Sequence, residues 1–179
     1  TIDFKFCIVF FLKQCYTKMI LGVSAVKKQI APSSNQFAQQ PKRTNMEEIM
    51  RLLAIDGNSI MNRAFYGIRL LSNHKGIYTN AIFGFMNIYL KHVTALQPDA
   101  IAVAFDVHTP TFRHQKVSSY KANRKGMPEE LAMQMPYLKK LLTLLGVQIV
   151  ECPGYEADDV LGTLAQAMEE QGNDCTILS

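Results

Sequence analysis

From residue 51 onward, short apolar runs alternate with longer segments whose apolar residues recur at helical spacing, and this alternation limits the fold more than any other feature of the chain. Runs at 51–56, 100–106, 147–151 and 174–178 read as buried strands, and the first two end in an aspartate, Asp56 and Asp106. Ser59 is placed to cap a short helix running through Arg63 and Tyr66. Between 80 and 96, Ile82, Phe85, Met86, Tyr89, Val93 and Leu96 form one helical stripe, which Pro98 closes. Pro128 suits the first turn of a helix that reaches Leu145 and stops at Gly146. Pro153 and Gly154 make a turn, and 155–171 reads as a last helix closed by Gly172. Strands that alternate with helices of this length require an α/β fold, with a mostly parallel central sheet covered on both faces.

The stretch before residue 50 is different in kind. Residues 31–45 are rich in Pro, Ser, Asn and Gln, so 1–49 reads as a leader outside the globular unit, and 50–179 as the domain. That leader also carries the whole formal charge of +4, with seven basic residues against three acids; twelve of each sign cancel beyond it. Net charge is therefore no guide to a partner, and local clustering must be read instead. The apolar run at 6–12 falls far short of the roughly 20 residues a membrane span needs. Lys13 and Gln14 cut it off too early for a secretory signal. Four scattered cysteines, without a C-x-x-C pair, argue against a disulfide scaffold or zinc site and for a reducing, cytoplasmic setting.

In a parallel sheet, ligands bind beyond the carboxyl ends of the strands, where the loops open into a crevice. Asp56 and Asp106 occupy that edge, and the helix after the third strand brings Glu156, Asp158 and Asp159 to it. Helical spacing puts Glu156 and Asp159 on one face and turns Asp158 elsewhere. Each acid alone has a plainer reading as a turn former, helix cap or macrodipole partner. Five together, without basic partners inside the three segments, favour a hard cation, and all-oxygen ligation selects Mg2+ or Mn2+ over zinc. Between Asp106 and Glu129 there is no acid, while Arg113, Lys116, Lys121, Arg124 and Lys125 stand with Tyr120 in a loop-like segment. Such a segment suits a phosphate backbone with a base stacked on the aromatic ring, although charge runs are also common in solvated loops.

The segments A-I-D-G-N-S-I-M-N-R-A-F-Y, T-N-A-I-F-G-F, A-V-A-F-D, T-F-R-H, Y-K-A-N-R and P-G-Y-E-A-D-D-V-L-G-T-L-A extend the reading. In this order and spacing they resemble the 5′-nuclease (5′→3′ exonuclease) domain of bacterial DNA polymerase I, within the flap-endonuclease and PIN-like group. G-Y-E-A-D-D-V is the most specific piece. The resemblance implies that Asp56, Asp106, Glu156, Asp158 and Asp159 bind metal, and that Arg63, Tyr120, Lys121 and Arg124 hold the scissile phosphate or the 5′ strand. Arg113, Lys116 and Lys125 are expected to contact DNA beside them. The implied substrates are DNA 5′ flaps, nicks and branched ends, met in primer removal and repair; no obligate protein partner is implied.

In the family, the last strand continues into another Asp-containing motif and a helical DNA-binding region. Neither follows Ser179 in this sequence, so residues 50–179 alone are expected to cut weakly or not at all. A PIN-type ribonuclease and a non-catalytic nucleic-acid-binding remnant are the competing readings. Substrate preference separates the first, and ion binding the second.

Overall fold

The computed structural model describes residues 49–107, 109, 111–116 and 126–179. The leader expected at 1–49, apart from its last residue, lies outside them, as do Tyr120, Lys121, Arg124 and Lys125. Four strands, β1 (Arg51–Asp56), β2 (Ala100–Phe105), β3 (Gln148–Glu151) and β4 (Asp174–Leu178), pair in the order β3-β2-β1-β4. All three pairings are parallel. The expected α/β sheet is thus present, with strand ends shifted by one residue at Asp106 and Val147.

Because side chains alternate across a strand, the sheet divides the core in two. Leu53, Ile55, Val103 and Phe105 face one side, where they meet α1 (Gly57–Gly67), α2 (Asn80–Leu96) and α5 (Met135–Leu144) through Ile60, Met61, Phe85, Leu138 and Leu142. Leu52, Ala54, Ala102 and Ala104 face the other, against Val160, Leu161, Leu164 and Met168 of α6 (Ala157–Glu169). The first face is covered by the β1-to-β2 and β2-to-β3 connections. The return from β3 to β4 covers the second, so the winding reverses and leaves a crevice at the carboxyl edge.

Several local expectations change. Asp56, not Ser59, caps α1: its Oδ1 accepts from the Ser59 amide at 2.8 Å. An aspartate ending a strand can accept from the next turn's orphan N–H groups, which Ser59, already inside the helix, cannot do. The helix expected from Pro128 is two pieces, α4 (Glu129–Ala132) and α5, with Pro128 at the N-cap of α4. The basic segment is not wholly a loop, since Phe112–Lys116 forms a short helix, α3. The last helix begins at Ala157 because Glu156 is extended at its N-cap (φ −91°, ψ 161°). At the end of α2, Gln97 takes a left-handed conformation (φ 44°) ahead of Pro98. Among the described residues no helix is long and apolar enough to cross a membrane.

Gly57 is where the chain turns from β1 into α1 directly over the core. A Cβ there would stand 2.4 Å from Cε1 of the Phe105 ring. Phe105 is 1% exposed and has little room to yield. Gly57→Ala is therefore expected to lower unfolding stability by about 1–3 kcal/mol, the usual cost of overpacking a core. Urea denaturation checks this; an unchanged midpoint would mean that the ring moves aside freely.

Candidate metal centre at the carboxyl edge of the sheet

Asp56 reaches the edge as the last residue of β1, and Asp106 follows immediately after β2. In the parallel register Asp56 lies opposite Ala104, so Asp106 stands two residues further along. Two contacts fix Asp106. Its amide donates to Asn58 Oδ1 at 3.2 Å, and its Oδ1 accepts from the Ala157 amide at 2.7 Å. The second contact ties the end of β2 to the first turn of α6, which joins acids 50 residues apart in sequence.

Asp56, Asp106, Glu156 and Asp158 all line one cavity of about 630 Å³. Asp56 and Glu156 are each only 8% exposed, whereas Asp106 and Asp158 lie open to solvent. Burial pushes the Asp56 carboxyl above its ordinary value of 3.8, and the neighbouring charges of Asp158 and Asp106 raise it further. Its cap bond from Ser59 opposes that rise without cancelling it. The cavity is thus short of positive charge at its floor.

Along the first turn of α6, Glu156 and Asp159 meet each other and Arg113, as their spacing suggests, while Asp158 departs from it by reaching the cavity. Asp158 faces the cavity with Glu156, and Asp159 turns away to Arg113. Glu156 is extended at the N-cap, and helical geometry begins only at the next residue. Arg113, expected to meet DNA, instead donates two hydrogen bonds of 2.6 Å to Asp159 and lies 3.5 Å from Glu156. The acids lack basic partners within their own segments, yet the neighbouring segment supplies this one. Arg63 is exposed and reaches the same edge, where its Nη2 donates to the Ser179 carbonyl at 2.9 Å. Lys116 is exposed on α3, with its Nζ 5.7 Å from the Phe112 ring centre.

Among the described residues no three Asp, Glu, His or Cys side chains form a ready-made cage for one ion. The donor chemistry nonetheless fits a hard divalent cation. The oxygens are carboxylate, two of the groups are buried, and Asp56 has no ion-pair partner among the described residues while two acids raise its proton affinity. Sequence reasoning missed Asn58, which lines the cavity and holds the Asp106 backbone. Its place two residues after the strand-ending Asp56 was the available signal.

Fold and edge together define a parallel α/β domain with an acidic cavity where its strands end. Residues 51–179 match the family of the 5′-3′ exonuclease, N-terminal resolvase-like domain, and the chain belongs to that family. Similar proteins include DNA polymerase I of Caldicellulosiruptor bescii, 43% identical over 130 residues, covering 73% of this chain and 15% of the relative. DNA polymerase I of Bacillus subtilis is 42% identical over 134 residues, 75% of this chain and 15% of the relative. The thermostable DNA polymerase I of Thermus aquaticus is 39% identical over 129 residues, 72% and 15% respectively. The chain therefore spans about 15% of the length of these relatives. Among solved structures, T5 5′-exonuclease with divalent metal ions (zinc) bound superposes with a TM-score of 0.51 at 20% identity, over 72% of this chain and 48% of that one. A T5 protein co-crystallized with metal ions gives 0.51 at 19% identity, over 72% and 47%. These two likenesses concern the fold.

Proposed function

We propose that this domain hydrolyses DNA phosphodiester bonds at 5′ flaps, nicks or branched ends, as the N-terminal nuclease part of a polypeptide of the DNA polymerase I type. The observation that carries the proposal is the convergence of Asp56, Asp106, Glu156 and Asp158 on one cavity at the carboxyl edge of the sheet. Family membership and the metal ions bound by the T5 5′-exonuclease support it.

Mg2+ or Mn2+ would be held by these four carboxylates; when bound, such ions lower the pKa of a coordinated water and offset charge on the attacking and leaving oxygens. The protein's own groups do the rest. Asn58 and the Ala157 amide fix Asp106 from two sides, which limits how far it can swing. Arg63 stands at the edge to orient a phosphate, and Lys121 and Arg124 are assigned to the charge that builds on the phosphoryl oxygens. Tyr120, Lys116 and Lys125 are assigned to the 5′ strand.

Single-turnover cleavage of a labelled 5′-flap duplex, with protein in excess, registers even slow cutting. Because residues 50–179 alone are expected to cut weakly or not at all, residues 51–179 are grafted in place of the matching segment of Bacillus subtilis DNA polymerase I. The expected result is product with Mg2+ or Mn2+, none with chelator, and no cutting of an RNA of the same shape. No product with either ion would refute the proposal, and preferential RNA cleavage would favour the ribonuclease reading.

A further inference from the structure

The start of the basic segment is docked on the turn that carries the acids. The Phe112 amide donates to the Gly154 carbonyl at 3.2 Å, and the Gly154 amide donates to Thr109 Oγ1 at 3.3 Å. The Phe112 and Tyr155 rings meet at 5.7 Å. Over this junction the Arg113 guanidinium lies 4.7 Å from the Phe112 ring centre and presents two nitrogens to the two oxygens of Asp159. A planar guanidinium fork matches a carboxylate in this way, and such bidentate pairs hold geometry as well as charge.

The same Asp159 carboxylate has a second task. Its Oδ2 accepts from the Glu156 amide at 3.0 Å, while the Glu156 side chain in turn caps the first turn of α6. Both Asp159 oxygens are therefore engaged by hydrogen-bond donors, and Asp159 is not among the residues lining the cavity. Arg113 is two-thirds buried, with a side-chain exposure of 32%, and its fork points inward to the acids.

We infer that Arg113 and Asp159 are a positioning pair, which docks the entry of the basic segment on the acidic turn and keeps Glu156 directed into the cavity, with neither residue touching the ion or a DNA phosphate. This rests on the divalent-ion reading of the cavity. It assigns Asp159 and Arg113 differently from their sequence pattern, which suggests a metal ligand and a phosphate contact.

The test compares the full chain with Arg113→Met, Asp159→Asn and the double variant; Arg113→Lys, which keeps the charge and loses the fork, replaces Arg113→Met should that protein not fold. Without divalent ion, each single change should lower Tm by about 5 °C, and the double by no more than the larger single loss. Mn2+ titration should give unchanged stoichiometry for Asp159→Asn, because no ligand is removed, with affinity lowered about tenfold, the usual scale for losing a group that orients a ligand. For 5′-flap DNA, Arg113→Met should leave the slope of log affinity against log salt unchanged, where losing a phosphate contact flattens it by about 0.9. Its maximal single-turnover rate should fall about tenfold, with the half-saturating concentration within about twofold, as expected for displaced catalytic groups. Additive Tm losses, a lost Mn2+ equivalent in Asp159→Asn, or a flattened salt slope in Arg113→Met would each overturn the inference. A parent that bound no Mn2+ would instead remove the ion reading, and the melting cycle would still decide whether the pair acts as one unit.

Discussion

Asp56→Asn is expected to melt at a higher temperature than the parent when divalent ions are absent, and to lose most of the stabilisation that Mn2+ gives the parent. Asparagine caps a helix about as well as aspartate, so the bond to the Ser59 amide survives the exchange. What disappears is a charge that burial and the neighbouring Asp158 and Asp106 both disfavour. The sign follows from linkage. A carboxyl whose pKa is raised on folding contributes stability fully below its ordinary value of 3.8, and that contribution is lost as the pH rises through the raised value. At neutral pH the ionised Asp56 is therefore a cost, which the amide removes. An ion bound only to the folded state contributes about 2.7 kcal/mol at one hundred times its Kd, and Asp56→Asn should forfeit most of it. Cleavage should fall by roughly a hundredfold or more, the scale for losing one preorganised electrostatic group. Thermal melts with and without Mn2+ check the stability arm. Equal Mn2+ shifts in parent and variant would exclude Asp56 from the ion site.

Gln134→Ala should be as destabilising as truncating a large core side chain, at about 3–5 kcal/mol. Gln134 is 0% exposed. Its Oε1 accepts from the amides of Ala81 at 2.9 Å and Ile82 at 3.3 Å, and its Nε2 donates to Asn80 Oδ1 at 3.1 Å and the Glu130 carbonyl at 2.8 Å. Asn80 extends the network, donating to the carbonyls of Phe65 and Ile68 at 3.2 Å each. The residue at the N-cap of α2, Thr79, makes no side-chain cap bond, so Gln134, in the turn between α4 and α5, supplies the missing cap. Truncation leaves these buried groups without partners, at about 1–3 kcal/mol each, and opens a cavity as well. That is a large part of the 5–15 kcal/mol by which domains are usually stable. Urea unfolding should show a lower midpoint with an unchanged slope. A loss below about 1 kcal/mol would mean that water replaces the amide without penalty.

How much of this was legible depends on how local the determining contacts are. The strands could be read because each is an apolar run ending in a turn or charge, and Asp56 and Asp106 stood out at their ends. The position of Asp158 was not readable from helical spacing, since the cavity it lines is formed with Asp56 and Asp106, at the ends of other strands. The Arg113–Asp159 pair joins residues 46 apart, and a basic residue in a basic segment gives no sign that it will fold back on acids. Gln134 left a trace. It falls on the stripe formed with Leu131, Leu138 and Leu142, where a polar residue signals a buried partner. The partners themselves, the first amides of α2, are 52 and 53 residues away and were beyond any local pattern.

Hydrolysis by this domain requires the acidic cavity to be an ion site, and anomalous diffraction from a crystal soaked in Mn2+ tests that directly. The expected result is a peak inside the cavity, roughly 2.0–2.6 Å from carboxylate oxygens of Asp56 or Asp106 and of the Glu156 to Asp158 turn, within the usual range for hard cations on oxygen. Manganese found only elsewhere on the surface, with the cavity holding water alone at saturating ion, would contradict it.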